Sequence, residues 1–188
     1  MVSYPYLETE RLVLKVLDSS YAPMVLDFFI RNKDFLQQWE PFKEDTFYSL
    51  EFQRDQLAAE LQKMNEGRQF RVWIFEKEDK CFEKIIGSVS LNEIVRGCFH
   101  SCFLGYRIDE HKRNQGYMTE AVRAVIDYGF NTLILHRVEA NIMPHNIASL
   151  RVVEKLGFIN EGLARRYLKI NGLWKDHIHM VLLNESME

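Results

Sequence analysis

Within the run HKRNQGYMTEAVRAVIDYGF, residues 111–130, several side chains are spaced to hold an anion. Lys112 and Arg113 bring positive charge, Thr119 brings a hydroxyl, and Gly116 lets main chain approach a ligand with no Cβ in the way. From there apolar residues recur at Met118, Ala121, Val122, Val125, Ile126, Gly129 and Phe130, which is helical spacing with one buried face. Just upstream, Cys102, Leu104, Tyr106 and Ile108 alternate as a strand does. A loop from a strand end to a helix start finishes on N–H groups that lack partners, at the positive end of the helix dipole. Arg113 to Thr119 are therefore suited to a phosphate or pyrophosphate. The plainer reading of the same residues is a solvated loop capping an amphipathic helix.

Other anion motifs are absent from the chain: no Gly-Lys-Ser/Thr loop and no G-x-G-x-x-G string occurs. Asn146 precedes a short helical pattern as an N-cap would. Three, four and seven residues beyond Ser149 stand Val152, Val153 and Leu156, which puts its hydroxyl on the inward side of that helix; a bond back to local backbone is the ordinary alternative. His177 and His179 share one strand face beside Asp176, yet a third ligand at suitable spacing is missing, so no metal is expected.

The elements that must position these groups fit one domain over residues 1–188. Net charge −3 argues against a general nucleic-acid surface, and no apolar run reaches the ~20 residues of a membrane span, so a cytoplasmic protein is expected. Cys81, Cys98 and Cys102 lack C-x-x-C spacing and read as packing residues. In order, the patterns predict a strand within Leu7 to Val16, a helix capped by Ser19 and Ser20 and running to about Ile30, and a short helix Phe35 to Phe42. A helix from about Ser49 to Asn65 follows, with Phe52, Leu57, Ala58 and Leu61 inward. Strands Phe70 to Phe75, Ile85 to Val95 and Cys102 to Ile108 form an antiparallel meander. After the long helix come a strand Arg137 to Asn141, a helix Ile147 to Leu156, and strands Phe158 to Tyr167 and Trp174 to Leu183 around Asn171-Gly172, a hairpin turn. The class is α+β, a mixed, mostly antiparallel sheet flanked by helices.

Arg113-x-x-Gly116-x-Met118 resembles the R/Q-x-x-G-x-G/A pyrophosphate loop of the GNAT superfamily of N-acetyltransferases, with Met118 departing from the usual glycine or alanine. Asn146-Ile-Ala-Ser149 followed by Glu154-Lys-Leu-Gly-Phe158 is similar to the second half of that superfamily. LETERLVL, VRGCFHSCFLGY, HRVEANIMPHN and YLKINGLWKDH resemble the RimJ/RimL-type ribosomal-protein-alanine N-acetyltransferases, nearest the RimJ branch.

That resemblance implies acetyl-CoA as cofactor and transfer of acetyl to an amine, either a protein N-terminus such as that of a ribosomal protein or a small-molecule amine. A non-catalytic CoA-binding module is the alternative from another class. It implies that Tyr106, Arg107 and Ile108 offer main chain to the pantetheine arm, and that Arg113, Asn114, Gln115, Gly116, Tyr117, Met118 and Thr119 hold the pyrophosphate. Asn146 and Ser149 would also meet the cofactor. Many relatives place a thiolate-protonating tyrosine where Val153 stands, and RimL-like relatives offer a serine at the Ser149 position. The base stays open among Glu93, His100, Asp176 and water, because a glutamate of some relatives is replaced here by Leu168. Freeing an α-amine of its proton at pH 7 costs ~1 kcal/mol against ~4 to 5 for a lysine, so a site without a strong base suits the α-amine.

Overall fold

The computed structural model describes residues 4–187, and its sheet has eight strands in the order β1-β2-β3-β4-β5-β6-β8-β7. The first predicted strand is a hairpin: β1 (Tyr6–Glu8) turns at Thr9 to Arg11 and pairs antiparallel with β2 (Leu12–Lys15). Asp18, not either serine, caps the following 3₁₀ turn by accepting from Ser20 N, and α1 (Ala22–Arg31) continues from it. α2 (Lys33–Gln37) stops short of the predicted Phe42, whose side chain is 64 % exposed.

α3 (Leu50–Asn65) begins on Ser49, whose Oγ accepts from Phe52 N. Its inward face differs from the predicted one: Gln53, Leu57 and Glu60 are buried, while Phe52 and Ala58 are exposed. The cause is polar pairing. Glu60 meets Arg71 on the next strand and Gln53 Nε2 donates to Phe47 O, so an inward phase sought among apolar residues alone comes out rotated.

β3 (Phe70–Glu76), β4 (Gly87–Val95) and β5 (Ser101–Ile108) make the predicted meander, with a register shift between Asn92 and Val95. α4 (Tyr117–Asn131) then crosses to β6 (Arg137–Ile142), the connection a parallel neighbour needs. α5 (Ile147–Glu154), β7 (Ile159–Ile170) and β8 (Leu173–Leu183) complete the order. Asn171 and Gly172 both have positive φ, as a two-residue hairpin turn requires.

Strand alternation divides the core. Phe70, Val72 and Ile74 of β3 join the α4 side with Val122 and Val125, while Trp73 and Phe75 join Phe28, Phe29 and Leu57 of α1 and α3. Of the cysteines only Cys102 packs inside; Cys81 and Cys98 are exposed, contrary to the sequence reading.

β5 and β6 are the sheet's parallel pair, and they pair only from Ser101–Phe103 to Arg137–Glu139. Beyond Phe103 they part, β5 staying with β4 to Ile108 and β6 with β8 to Ile142. This divergence opens the sheet.

Candidate active site

A cleft of about 680 Å³ occupies the gap between β5 and β6. One wall is Leu104 to Ile108, whose main chain pairs with β4 on one side and has no strand on the other. At one end lies the start of α4, where Asn114 and Gly116 have φ of +59° and +81°. The first helical bond runs from Glu120 N to Gly116 O, so the N–H groups of Tyr117, Met118 and Thr119 precede the helix ladder. A Cβ at Gly116 would come within 3.3 Å of Arg11 Nη2.

The loop before α4 is pinned from the other strands. Arg11 Nη1 donates to Gln115 O, and its guanidinium lies 4.5 Å from the Tyr117 ring centroid and pairs with Glu120. Lys112 Nζ and Tyr117 Oη both donate to Glu76. Burial alone would raise the Glu76 pKa, but those two hydrogen bonds outweigh it and hold the carboxyl below its ordinary value. Lys112 is thus spoken for, and Arg113 is the cation of the loop whose charge faces the cleft.

On the opposite wall Asn146 caps α5: its Oδ1 accepts from Ser149 N at 3.2 Å. Ser149 Oγ lies 2.6 Å from Tyr106 Oη, and that phenol also donates to Ser149 O at 3.0 Å. Burial pushes the Tyr106 pKa far above its ordinary value, so the phenol is a donor and never a base at working pH.

A segment from α2 lies across the cleft and is held at three points. The Arg113 guanidinium sits 4.9 Å from the Phe35 ring centroid, Trp39 lies tilted against His145 with ring centroids 5.6 Å apart, and Asn171 Nδ2 donates to Gln37 O. Glu40 closes the segment. Its Oε1 lies 2.8 Å from Arg107 Nε and its other oxygen pairs with Lys43. Burial raises the Glu40 pKa, yet Arg107 and Lys43 outweigh it, and the carboxylate stays ionised.

Of the residues expected at the cofactor, Tyr106, Arg107, Ile108, Arg113, Asn114, Gly116, Tyr117, Met118, Thr119, Asn146 and Ser149 line the cleft. Gln115 does not; its side chain turns back to donate to His111 O. The three base candidates fall elsewhere. Glu93 is exposed at the β4 irregularity, His100 accompanies Ile134 O before β5 begins, and the Asp176 carboxylate accepts from Arg166 N.

The acetyltransferase (GNAT) domain family matches residues 11–159. The chain belongs to the GNAT acetyltransferase family. Its sheet, opened between two strands beside a helix N-terminus, is the fold of solved GNAT enzymes. Ribosomal-protein-S5-alanine acetyltransferase from Vibrio fischeri superposes with a TM-score of 0.91 at 33% identity, over 98% of this chain and 99% of that one. Mycobacterium smegmatis RimJ in complex with CoA-disulfide has the same fold, with a TM-score of 0.86 at 23% identity over 94% of this chain and 83% of that one. In sequence, this GNAT chain is 36% identical to the ribosomal protein uS5-alanine N-acetyltransferase of Escherichia coli, over 92% of its length and 87% of the relative's. It is 38% identical to the "Probable N-acetyltransferase YjcK" of Bacillus subtilis, over 97% and 99%. This is an N-acetyltransferase of the RimJ/RimL-like kind.

Sequence reasoning missed three features of the GNAT cleft. Tyr106 was expected to serve through its main chain, although the alternation Cys102, Leu104, Tyr106 already put its ring on the α5 side. His177 was weighed only as a metal ligand, and it lines the cleft. Glu40 and Arg107 lie 67 residues apart in sequence, and no local pattern links them.

Proposed function

We propose that the chain is one N-acetyltransferase domain over residues 1–188 that moves acetyl from acetyl-CoA directly to the N-terminal α-amine of a protein. The acceptor class is a ribosomal protein with a small first residue. The observation that carries the chemistry is the Tyr106–Ser149 pair on the cleft wall. The acceptor class draws its support from the uS5-alanine N-acetyltransferase, similar over nearly the whole chain.

The residues present fit acetyl-CoA. Past Phe103 the β5 edge offers unpaired main-chain groups to an amide-bearing arm, and the turn through Asn114 and Gly116 brings amides and Arg113 to a diphosphate. Acetyl-CoA, when bound, supplies an acyl group already activated as a thioester. Asn146, by capping α5, fixes the first turn and with it Ser149. Tyr106 keeps its proton, and when the phenol turns its single hydrogen from Ser149 O to Ser149 Oγ the Ser149 hydroxyl hydrogen is free to bond the departing sulfur. A thiol of pKa ~8.5 needs only a hydrogen bond of this kind to leave. Positioning in a ternary complex provides the remainder of the rate.

Incubation with acetyl-CoA and a panel of N-terminal peptides, polyamines and aminoglycosides tests this, with thiol release and mass spectrometry as readouts. Acetylation at the α-amine of peptides beginning with alanine or serine is expected. Acetylation of the small amines alone overturns the acceptor class. Tight CoA binding with no thiol release on any amine overturns the catalytic reading and leaves a binding module.

A further inference from the structure

His177 reaches the cleft from the sheet face opposite Ser149. In β8, Ile178, Met180 and Leu182 point into the core beneath α4 and α5, so the intervening His177 points the other way. Tyr106 packs on the α4 and α5 side together with Leu104. Both nevertheless line the one opening, because the sheet is parted there. A direct transfer needs this two-sidedness: a proton leaves the nitrogen on one side while the sulfur is met on the other.

The imidazole is 3 % exposed and its Nδ1 lies 3.0 Å from Lys175 O. A carbonyl can only accept, so Nδ1 carries the hydrogen and the neutral ring has its lone pair on Nε2. Nε2 makes no hydrogen bond to any other described residue. The ring is neutral at pH 7, since burial lowers its pKa and the neighbouring His179 and His145 add to that, against the Lys175 carbonyl and Asp176. Tyr167 faces the ring at 6.0 Å between centroids, and Glu40 and Arg107 line the same cleft. Glu40 is the carboxylate among the described residues that line the opening, but Arg107 and Lys43 hold it as an anion of low basicity.

We propose that His177 Nε2 accepts the proton an incoming α-ammonium must lose, directly or through one water. This rests on the acetyl-transfer reading above. The ammonium enters with three protons. One passes to His177; the neutral nitrogen then forms its bond to the acyl carbon as the carbon–sulfur bond breaks. Ser149 passes its hydroxyl proton to the departing sulfur and is reprotonated by the second proton, which leaves the nitrogen of the new amide through water, while the third stays on that amide. His177 returns its proton to water before the next cycle.

His177→Gln tests the role. At pH 7 kcat for an alanine-initiated peptide is expected to fall ~10²- to 10³-fold, with KM for acetyl-CoA within about twofold and CoA affinity by calorimetry unchanged. The acid limb of the wild-type kcat/KM profile should vanish in the variant. Independently, histidine ¹⁵N–¹H correlation spectra of the wild type should show the Nδ1–H tautomer between pH 6 and 8, which decides the matter if the variant does not fold. A proton on Nε2, full turnover by His177→Gln, or loss of CoA binding along with turnover overturns the assignment while the acetyl-transfer reading stands. A wild type that acetylates no amine overturns both.

Discussion

Tyr106 Oη lies between two oxygens of Ser149, 2.6 Å from Oγ and 3.0 Å from the carbonyl, and so ties β5 to the first turn of α5. If the serine hydroxyl meets the sulfur and the phenol aligns it, Ser149→Ala should lower kcat about 10- to 100-fold with little change in KM for acetyl-CoA. Tyr106→Phe should cost less. The double variant should lose less than the two losses combined, because the residues act as a unit. Steady-state kinetics on one peptide checks all three.

Gly116 should tolerate no branched side chain. Its φ of +81° is costly for any Cβ, and Arg11 stands 3.3 Å from where one would be. Gly116→Val is expected to weaken CoA binding at least tenfold in calorimetry, with far-ultraviolet dichroism unchanged. A weaker effect for dephospho-acyl analogues lacking the diphosphate would locate the loss at the loop.

Glu60→Ala should destabilise the fold by about 3 kcal/mol, because it takes the paired carboxylate from buried Arg71 and leaves it only the charge of Glu40, which Arg107 and Lys43 already share. Glu60→Gln should cost less. Urea unfolding followed by tryptophan fluorescence measures both, since Trp73 is buried on the same side of the sheet.

Acid should loosen the anchoring of α4. Glu76, Asp109 and Glu120 are each raised by burial, but outweighed by Lys112 and Tyr117, by Arg31 and His111 N, and by Thr9 and Arg11 respectively. Their folded values lie below the ordinary carboxylate range. Such groups contribute stability that is fully present above that range and is lost as pH falls through the depressed values. Melting temperature should therefore drop from about pH 4.5 downward. Glu76→Gln should flatten that fall.

The fold was largely legible because its signals are local. Alternation marked the meander, Asn171-Gly172 marked the last hairpin, and Met118 to Gly129 marked the buried side of α4. What failed locally was what long-range polar contact decides. The inward face of α3 follows Glu60 and Gln53 to partners elsewhere, and Gln115 is turned out of the cleft by His111 O and Arg11. That the loop before α4 and Ser149 would meet at one cleft could be read from motif and spacing. The pairing of Tyr106 with Ser149 needed the packing of β5 against α5, and the tautomer of His177 needed the carbonyl of Lys175.

Three residue pairs, Ser101–Arg137, Cys102–Val138 and Phe103–Glu139, with His100 O accepting from His136 N and Arg137 N beside them, make the short seam joining the five-strand and three-strand portions of the sheet. A seam so short leaves the two portions as a pair of jaws joined at one end, so its length bears on the width of the mouth. The grip of Trp39 on His145 and of Asn171 on Gln37 then acts as a clasp across the open end. Bulk added at Phe103 would change how far the jaws open without touching a reacting atom.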